Sequence, residues 1–274
     1  DCVANSGYKL VEKYQDLWSY TNRFTVNDYN YTKDGGFNWV ENDANINPES
    51  MFAIKYNEYA NYNAELKGYA NMYVLYFGIR DDHDQATFPF MRGWGYGPVS
   101  PALVREWKVA EPDDPRRDAS ICYVPSELPD YDRAAGWEDW VQETDYINKK
   151  LTPIGGKTND GTIKLFSHLM YDNDAWTVND KDINCTQDLV LLRYADVLLM
   201  RSELYEDADK GMNEVRQRVG LPAVSYSLEA LQNERRWEFA FEGLRYNDIR
   251  RWGQGGGQSN GYTEEVLSKQ QNEA

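Results

Sequence analysis

The sequence predicts a mainly α fold of helical hairpins, with long irregular loops and few short strands. Three observations carry this. In the last third, Leu191, Tyr194, Ala195, Leu198, Leu199 and Ser202 recur at i, i+3, i+4, i+7, i+8 and i+11, one apolar face of a helix. Helix stop and start residues punctuate the segment beyond it: Gly220 and Pro222 end one helical stretch and Ser227 is placed to cap the next. Between residues 57 and 101 no helical period is sustained, while rings are unusually dense.

In chain order, residues 7–18 set Leu10, Tyr14, Leu17 and Trp18 on one side of a short helix. A polar stretch rich in Asn, Asp and Gly, residues 21–50, reads as loop. Residues 51–56 alternate as a strand, with Phe52, Ile54 and Tyr56 opposite Met51, Ala53 and Lys55. In the ring-dense region, Gly93-Trp-Gly-Tyr-Gly97 suits a loop that projects its side chains. Residues 101–110 form a short helix with Pro101 in its first turn and Ser100 as cap, followed by a charged turn at 113–117. Residues 125–160 read as irregular surface, in which Trp137 and Trp140 make one i, i+3 pair. Helices then cover 189–206, 212–219 and a third segment after Ser227, whose apolar face is Trp237, Ala240, Phe241 and Leu244, with Gly243 ending it. The connection from Glu206 to Met212 is short enough to suggest a lost loop. The chain thus divides into an irregular, aromatic-rich part (1–186), a helical part (187–253) and a tail (254–274) that opens on a Gly255–Gly257 linker.

Composition narrows the function. With 274 residues and a formal charge of −16, the chain buries a sizeable core and offers no basic surface for nucleic acid. The three cysteines, Cys2, Cys122 and Cys185, define no disulfide framework or zinc site, and His83 and His168 stand too far apart to ligate from one helix face. No run of about 18 apolar residues is present, and neither a signal peptide nor a lipidation site is read at Cys2. The 21 Tyr and 9 Trp leave rings for two uses: core packing, or platforms that stack on sugars or peptides.

The chemistry-bearing residues present the same choice between structure and function. Glu234, Arg235, Glu238, Glu242, Arg245 and Asp248 crowd around one helix and its exit. A glycoside hydrolase using Glu238 and Glu242 would need one carboxyl of raised pKa. Arg235, Arg236 and Arg245 at helix-contact spacing lower such values instead, so a structural ion-pair network is the better reading. Asp81, Asp82 and Asp84 are weak candidates for a structural Ca²⁺ site, since they lack the twelve-residue calcium-loop pattern. No G-x-S-x-G, Walker or dinucleotide motif occurs, and no cofactor is expected.

Three segments resemble the SusD/RagB family of outer-membrane lipoproteins: Leu191-Leu-Arg-Tyr-Ala-Asp-Val-Leu-Leu-Met200, Asn213-Glu-Val-Arg-Gln-Arg-Val-Gly-Leu221 and Glu234-Arg-Arg-Trp-Glu-Phe-Ala-Phe-Glu-Gly-Leu-Arg-Tyr-Asn-Asp-Ile-Arg-Arg-Trp-Gly253. Glu49-Ser-Met-Phe-Ala-Ile54 and Asp114-Pro-Arg-Arg117 look like landmarks of the same family. The resemblance implies a tetratricopeptide-like scaffold at the cell surface of Bacteroidetes-type bacteria. It implies non-catalytic binding of oligosaccharides, or peptides, and their delivery to a SusC-like TonB-dependent transporter in the outer membrane. It also implies a missing N-terminal half, or companion chain, carrying the lipid anchor, because the matched landmarks belong to the family's C-terminal half. Together with the loop's composition, the family's use of mid-chain aromatics points to Tyr69, Tyr73, Arg80, Trp94 and Tyr96 as ligand contacts. A helical scaffold that binds only protein is the remaining alternative.

Overall fold

The computed structural model describes residues 2–42, 47–56, 71–79, 84–131, 144–171, 185–255 and 258–269. Its helices of five residues or more are α1 (Met72–Phe77), α2 (Pro101–Ala110), α3 (Pro115–Ser120), α4 (Phe166–Met170), α5 (Tyr194–Tyr205), α6 (Met212–Arg218), α7 (Leu228–Glu238), α8 (Arg245–Trp252) and α9 (Tyr262–Ser268). Among the described residues strands pair two at a time: β1 (Ser50–Ile54) with β6 (Leu189–Arg193), β2 (Ile121–Tyr123) with β3 (Tyr146–Asn148), and β4 (Gly155–Lys157) with β5 (Ile163–Leu165). A two-residue ladder joins Gln254–Gly255 to Gln258–Ser259. The fold is mainly α, as the periodicity predicts. Among the described residues no helix is long and apolar enough to cross a membrane.

The helical centre is α5–α7. Ala195, Leu198 and Leu199 of α5, Met212 and Val215 of α6 and Leu231 of α7 are all fully buried against one another. Each such aliphatic side chain contributes about 1.5–3 kcal/mol on leaving water, so this seam holds the three helices together. Its rim is closed from far away in sequence by Val3, Tyr8, Leu10 and Met51. The short α5–α6 connection is closed by local contacts: Glu206 turns left-handed at φ 50, and Ser202 Oγ accepts from Met212 N at 2.8 Å. Gly211 is obligatory there, since a Cβ would stand 2.2 Å from the Leu198 carbonyl oxygen. Among the described residues most rings serve packing. Trp107 stacks on Trp237 at 5.0 Å, and Tyr20, Tyr29, Phe90 and Phe166 fill a second core.

Several local expectations are corrected. Residues 189–193 are a strand rather than the first turn of a helix, because β1 supplies an antiparallel partner (Ser50 opposite Arg193, Ile54 opposite Leu189). Residues 7–18 contain only a 3₁₀ turn, Tyr14–Leu17. Lys9 N donates to Pro48 O and Val11 N to Glu49 Oε2, which holds the preceding backbone out of a helix. Ser100 makes no side-chain cap on α2, whereas Asp114 caps α3 by accepting from Arg116 N, where the sequence suggested only a turn. Ser227 does cap α7, accepting from Ala230 N at 3.0 Å. That helix ends at Glu238, before the expected apolar face is complete. Phe241, at φ 68, and Gly243, at φ 80, then reverse the chain into α8. The tail holds helix α9. Trp137 and Trp140, and Gly256 and Gly257 of the linker, lie outside the described residues.

Candidate ligand-binding site

The aromatic loop is built on α1. Asn71 caps this helix by accepting from Tyr73 N at 3.1 Å, and Val74 and Leu75 bury its inner side. Tyr73 and Tyr76 are therefore left on the outer side. Residues 93–96 then run alongside, pinned by backbone bonds: Trp94 N to Leu75 O at 2.8 Å, Gly95 N to Gly78 O at 2.8 Å and Tyr96 N to Tyr76 O at 2.9 Å. Two glycines make this possible. A Cβ on Gly93 would lie 2.4 Å from Gly78 Cα and 2.5 Å from Leu75 O, and Gly95 sits at φ 69, where side chains are disfavoured.

The result is a cluster of three rings. Tyr76 and Trp94 have centroids 5.0 Å apart, and Tyr96 lies 6.0 Å from each of them. Trp94 rests on Leu75, while Tyr96 is 62% exposed and Tyr73, one turn before Tyr76, is 51% exposed. Tyr73 stands apart from the three-ring contact. Trp94 and Tyr96 are thus brought together, Tyr76 is the member that sequence reasoning missed, and Tyr69 and Arg80 lie outside the described residues. The signal for Tyr76 was its i+3 spacing from Tyr73 on a six-residue helix too short to show a period.

The charged cluster has a different character. Glu238 is fully buried: Oε1 accepts from Arg193 at 2.6 Å and from Arg218, and Oε2 accepts from Arg116 at 2.9 Å. Glu234 is shared between Arg116 (2.6 Å) and Arg216 (2.8 Å), and Glu242 between Arg193 (2.7 Å) and Lys150 (2.8 Å). Glu49 completes the array with Arg193 at 2.6 Å and Arg218 at 2.9 Å. Arg235 bonds Asp196 at 2.6 Å and Asp248 at 2.8 Å.

Burial raises the Glu238 pKa, but Arg218, Arg193 and Arg116 outweigh it and hold the carboxyl well below the usual range. Burial also opposes the ionisation of Glu242, and Arg193 and Lys150 overcome it, so that this carboxyl too is lowered. The cations that hold these two carboxylates come from α6, β6, α3 and residue 150, not from the helix neighbours Arg235, Arg236 and Arg245 that the sequence suggested. Arg245 stands outside the network, with its Nη1 buried and unpartnered. Carboxylates this buried and this firmly ionised cannot supply the proton that glycoside hydrolysis requires. They lock β1, β6, α3, α6 and α7 together; removing one partner of such a buried pair generally costs about 3–5 kcal/mol.

For a metal, among the described residues no group of three or more His, Cys, Asp or Glu gathers where an ion would sit. Asp81 and Asp82 lie outside them, and of Asp84 only the backbone, in the helical turn Asp84–Thr87, is described.

The sequence model of the SusD family matches residues 4–274. The chain belongs to the SusD family. Among solved structures, a laminarin-binding SusD-like protein is similar at 25% identity and TM-score 0.66, over 96% of this chain and 48% of its own. Surface glycan-binding protein A from Bacteroides thetaiotaomicron is similar at 21% identity and TM-score 0.65, over 92% of this chain and 48% of its own. A complex of surface glycan-binding protein A from the same organism with laminarihexaose aligns at 20% identity and TM-score 0.65, over 97% of this chain and 55% of its own. This SusD-family chain therefore spans about half the length of the solved structures it matches. A comparison with curated proteins gave no match.

Proposed function

We propose that this SusD-family chain takes part in non-catalytic binding of oligosaccharides at the bacterial cell surface, and that Tyr76, Trp94 and Tyr96 form a stacking platform for the ligand. The observation that carries the reading is the ring cluster. Three aromatic side chains are gathered on one loop and helix, left accessible at Tyr96, and held by a backbone that tolerates only glycine at residue 93. Sugar rings present flat C–H faces, and pre-positioned aromatic rings bind such faces at small cost in conformational entropy. The sealed, ionised state of Glu238 and Glu242 supports binding without turnover. Family membership and the laminarin-binding relative support a glucan-type ligand. Delivery to a SusC-like TonB-dependent transporter in the outer membrane is the partnership that family membership favours.

Calorimetric titration with laminarihexaose, with a product assay on the same mixtures, tests this. Saturable binding without new reducing ends is expected, and Trp94→Ala should weaken it roughly tenfold or more while circular dichroism is unchanged. Unaltered affinity in a folded Trp94→Ala protein would remove the platform from the site, and turnover would replace the binding reading with an enzymatic one.

A further inference from the structure

A cleft that shares no residue with the ring platform opens between α2, α3 and the β2–β3 hairpin. Its volume is about 620 Å³, within the range that small ligands occupy. Part of its wall is a tyrosine pair. Tyr123 and Tyr146 stand directly opposite each other in the hairpin register, and their rings lie 5.3 Å apart at 36°. Tyr146 is anchored, since it packs with Val104 against the core around Trp107 and Trp237. Tyr123 is 43% exposed. An anchored ring beside an open one makes a shelf, and among the described residues neither hydroxyl has a protein partner.

The polar groups beside this shelf come from α3. Arg117 is held in place: its Nε donates to Asp118 Oδ1 at 3.1 Å and its Nη1 to the Pro112 carbonyl at 3.1 Å. Its Nη2 is not sealed from solvent, and among the described residues it has no acceptor. Asp118 is 63% exposed along its side chain, and its Oδ2 accepts no hydrogen bond from the described residues. Charge is largely compensated here, because Arg117 pairs with Asp118 and Glu127 with Lys149 at 2.6 Å; Lys108 adds one exposed ammonium at the rim. The cleft therefore offers unused donors and acceptors in place of a net field. A hydroxyl group both donates and accepts, so a polyol can engage Arg117 Nη2, Asp118 Oδ2 and the tyrosine hydroxyls together. An anion that approaches the guanidinium meets the Asp118 carboxylate as well. The tyrosine faces add apolar area for the C–H side of a sugar ring.

We propose that this cleft is a second saccharide site, which takes a short stretch of a neutral oligosaccharide with Tyr123 and Tyr146 against the sugar ring and Arg117 and Asp118 on neighbouring hydroxyls. The choice of a sugar rests on the proposed glycan-binding function; the cleft and its unused polar atoms do not.

Calorimetry and saturation-transfer NMR of the intact chain with laminaribiose and laminarihexaose test this in the parent, in Trp94→Ala, in Tyr123→Ala and in the double variant. The Trp94→Ala protein should keep a residual saccharide site, about tenfold or more weaker than the parent's and unchanged by high salt. Adding Tyr123→Ala should abolish that residual site with the circular dichroism unaltered, since the Tyr123 ring is exposed on a hairpin. Asp118→Ala, another exposed change, should weaken the residual site about fivefold or more. Binding in the parent that vanishes entirely in Trp94→Ala would sink this inference alone and leave the platform standing. Residual binding indifferent to both Tyr123→Ala and Asp118→Ala would overturn the cleft, as would its displacement by inorganic sulfate at equal concentration. Binding that is lost in Tyr123→Ala but untouched in Trp94→Ala would keep the cleft and remove the platform. No binding of either saccharide by the parent would sink the glycan-binding reading together with this one.

Discussion

Glu41 shows how a single side chain reports its surroundings. It lines a small cavity of about 60 Å³ with Trp18, Trp39 and Asp188, and burial, reinforced by the Asp188 charge, pushes its pKa up to about 7. A carboxyl raised in this way favours the folded state fully below its ordinary value of 4.5, and that contribution is lost as pH rises through 7. Glu41→Gln should therefore be more stable than the parent at pH 8, by about 1–3 kcal/mol in urea denaturation, with the difference vanishing at pH 4. An equal difference at both pH values would show that packing rather than ionisation sets the effect. Glu238 and Glu242 behave in the opposite sense. Their carboxyls are lowered by guanidinium and ammonium neighbours, so the stability they lend is present at neutral pH and lost only as pH falls below the usual carboxylate range. The density of Glu and Arg near residue 238 was legible in the sequence. The identity of the partners was not, because Arg116 and Arg193 stand 122 and 45 residues away from Glu238.

At the level of elements, local chemistry was readable where the signal was complete within one turn. Ser227 as a cap and Gly220, at φ 77, as a stop after α6 were both evident from residue type and position. Residues 189–193 were not, since an apolar run of this length satisfies strand and helix alike until β1 is seen beside it. The aromatic loop is intermediate. Its glycine-ring alternation announced an unusual loop, but only the close approach of Gly93 to Gly78 shows that the rings are held rather than displayed loosely. Gly93→Ala should consequently abolish or strongly reduce laminarihexaose binding with little change in helical content, because the added methyl displaces Trp94 and Tyr96 and leaves α5–α7 untouched. Calorimetry beside circular dichroism checks this, and full affinity in the variant would show that the loop's close packing is irrelevant to binding.

Across the whole molecule, the expected division at residue 187 meets an ion network that crosses it. Glu49, Arg116 and Lys150 on one side bind Arg193, Arg218, Glu234, Glu238 and Glu242 on the other, and Tyr14 donates to the Glu238 carbonyl at 3.0 Å. Unfolding followed by tryptophan fluorescence and by far-UV circular dichroism should therefore give coincident midpoints in one cooperative transition. Two separated midpoints would show that the aromatic-rich part and the helical part are independent domains. The amino-acid sequence by itself determined the mainly α class, the apolar face of α5, the cap at Ser227 and membership of the SusD family, because each of these is written in residues within a few turns of one another. Only the tertiary structure decided which cations ionise Glu238, that Tyr76 joins Trp94 and Tyr96, and that Arg245 stands outside the network. Those arrangements depend on segments far apart in the chain, whose meeting is set by strand pairing and core packing that no local pattern encodes.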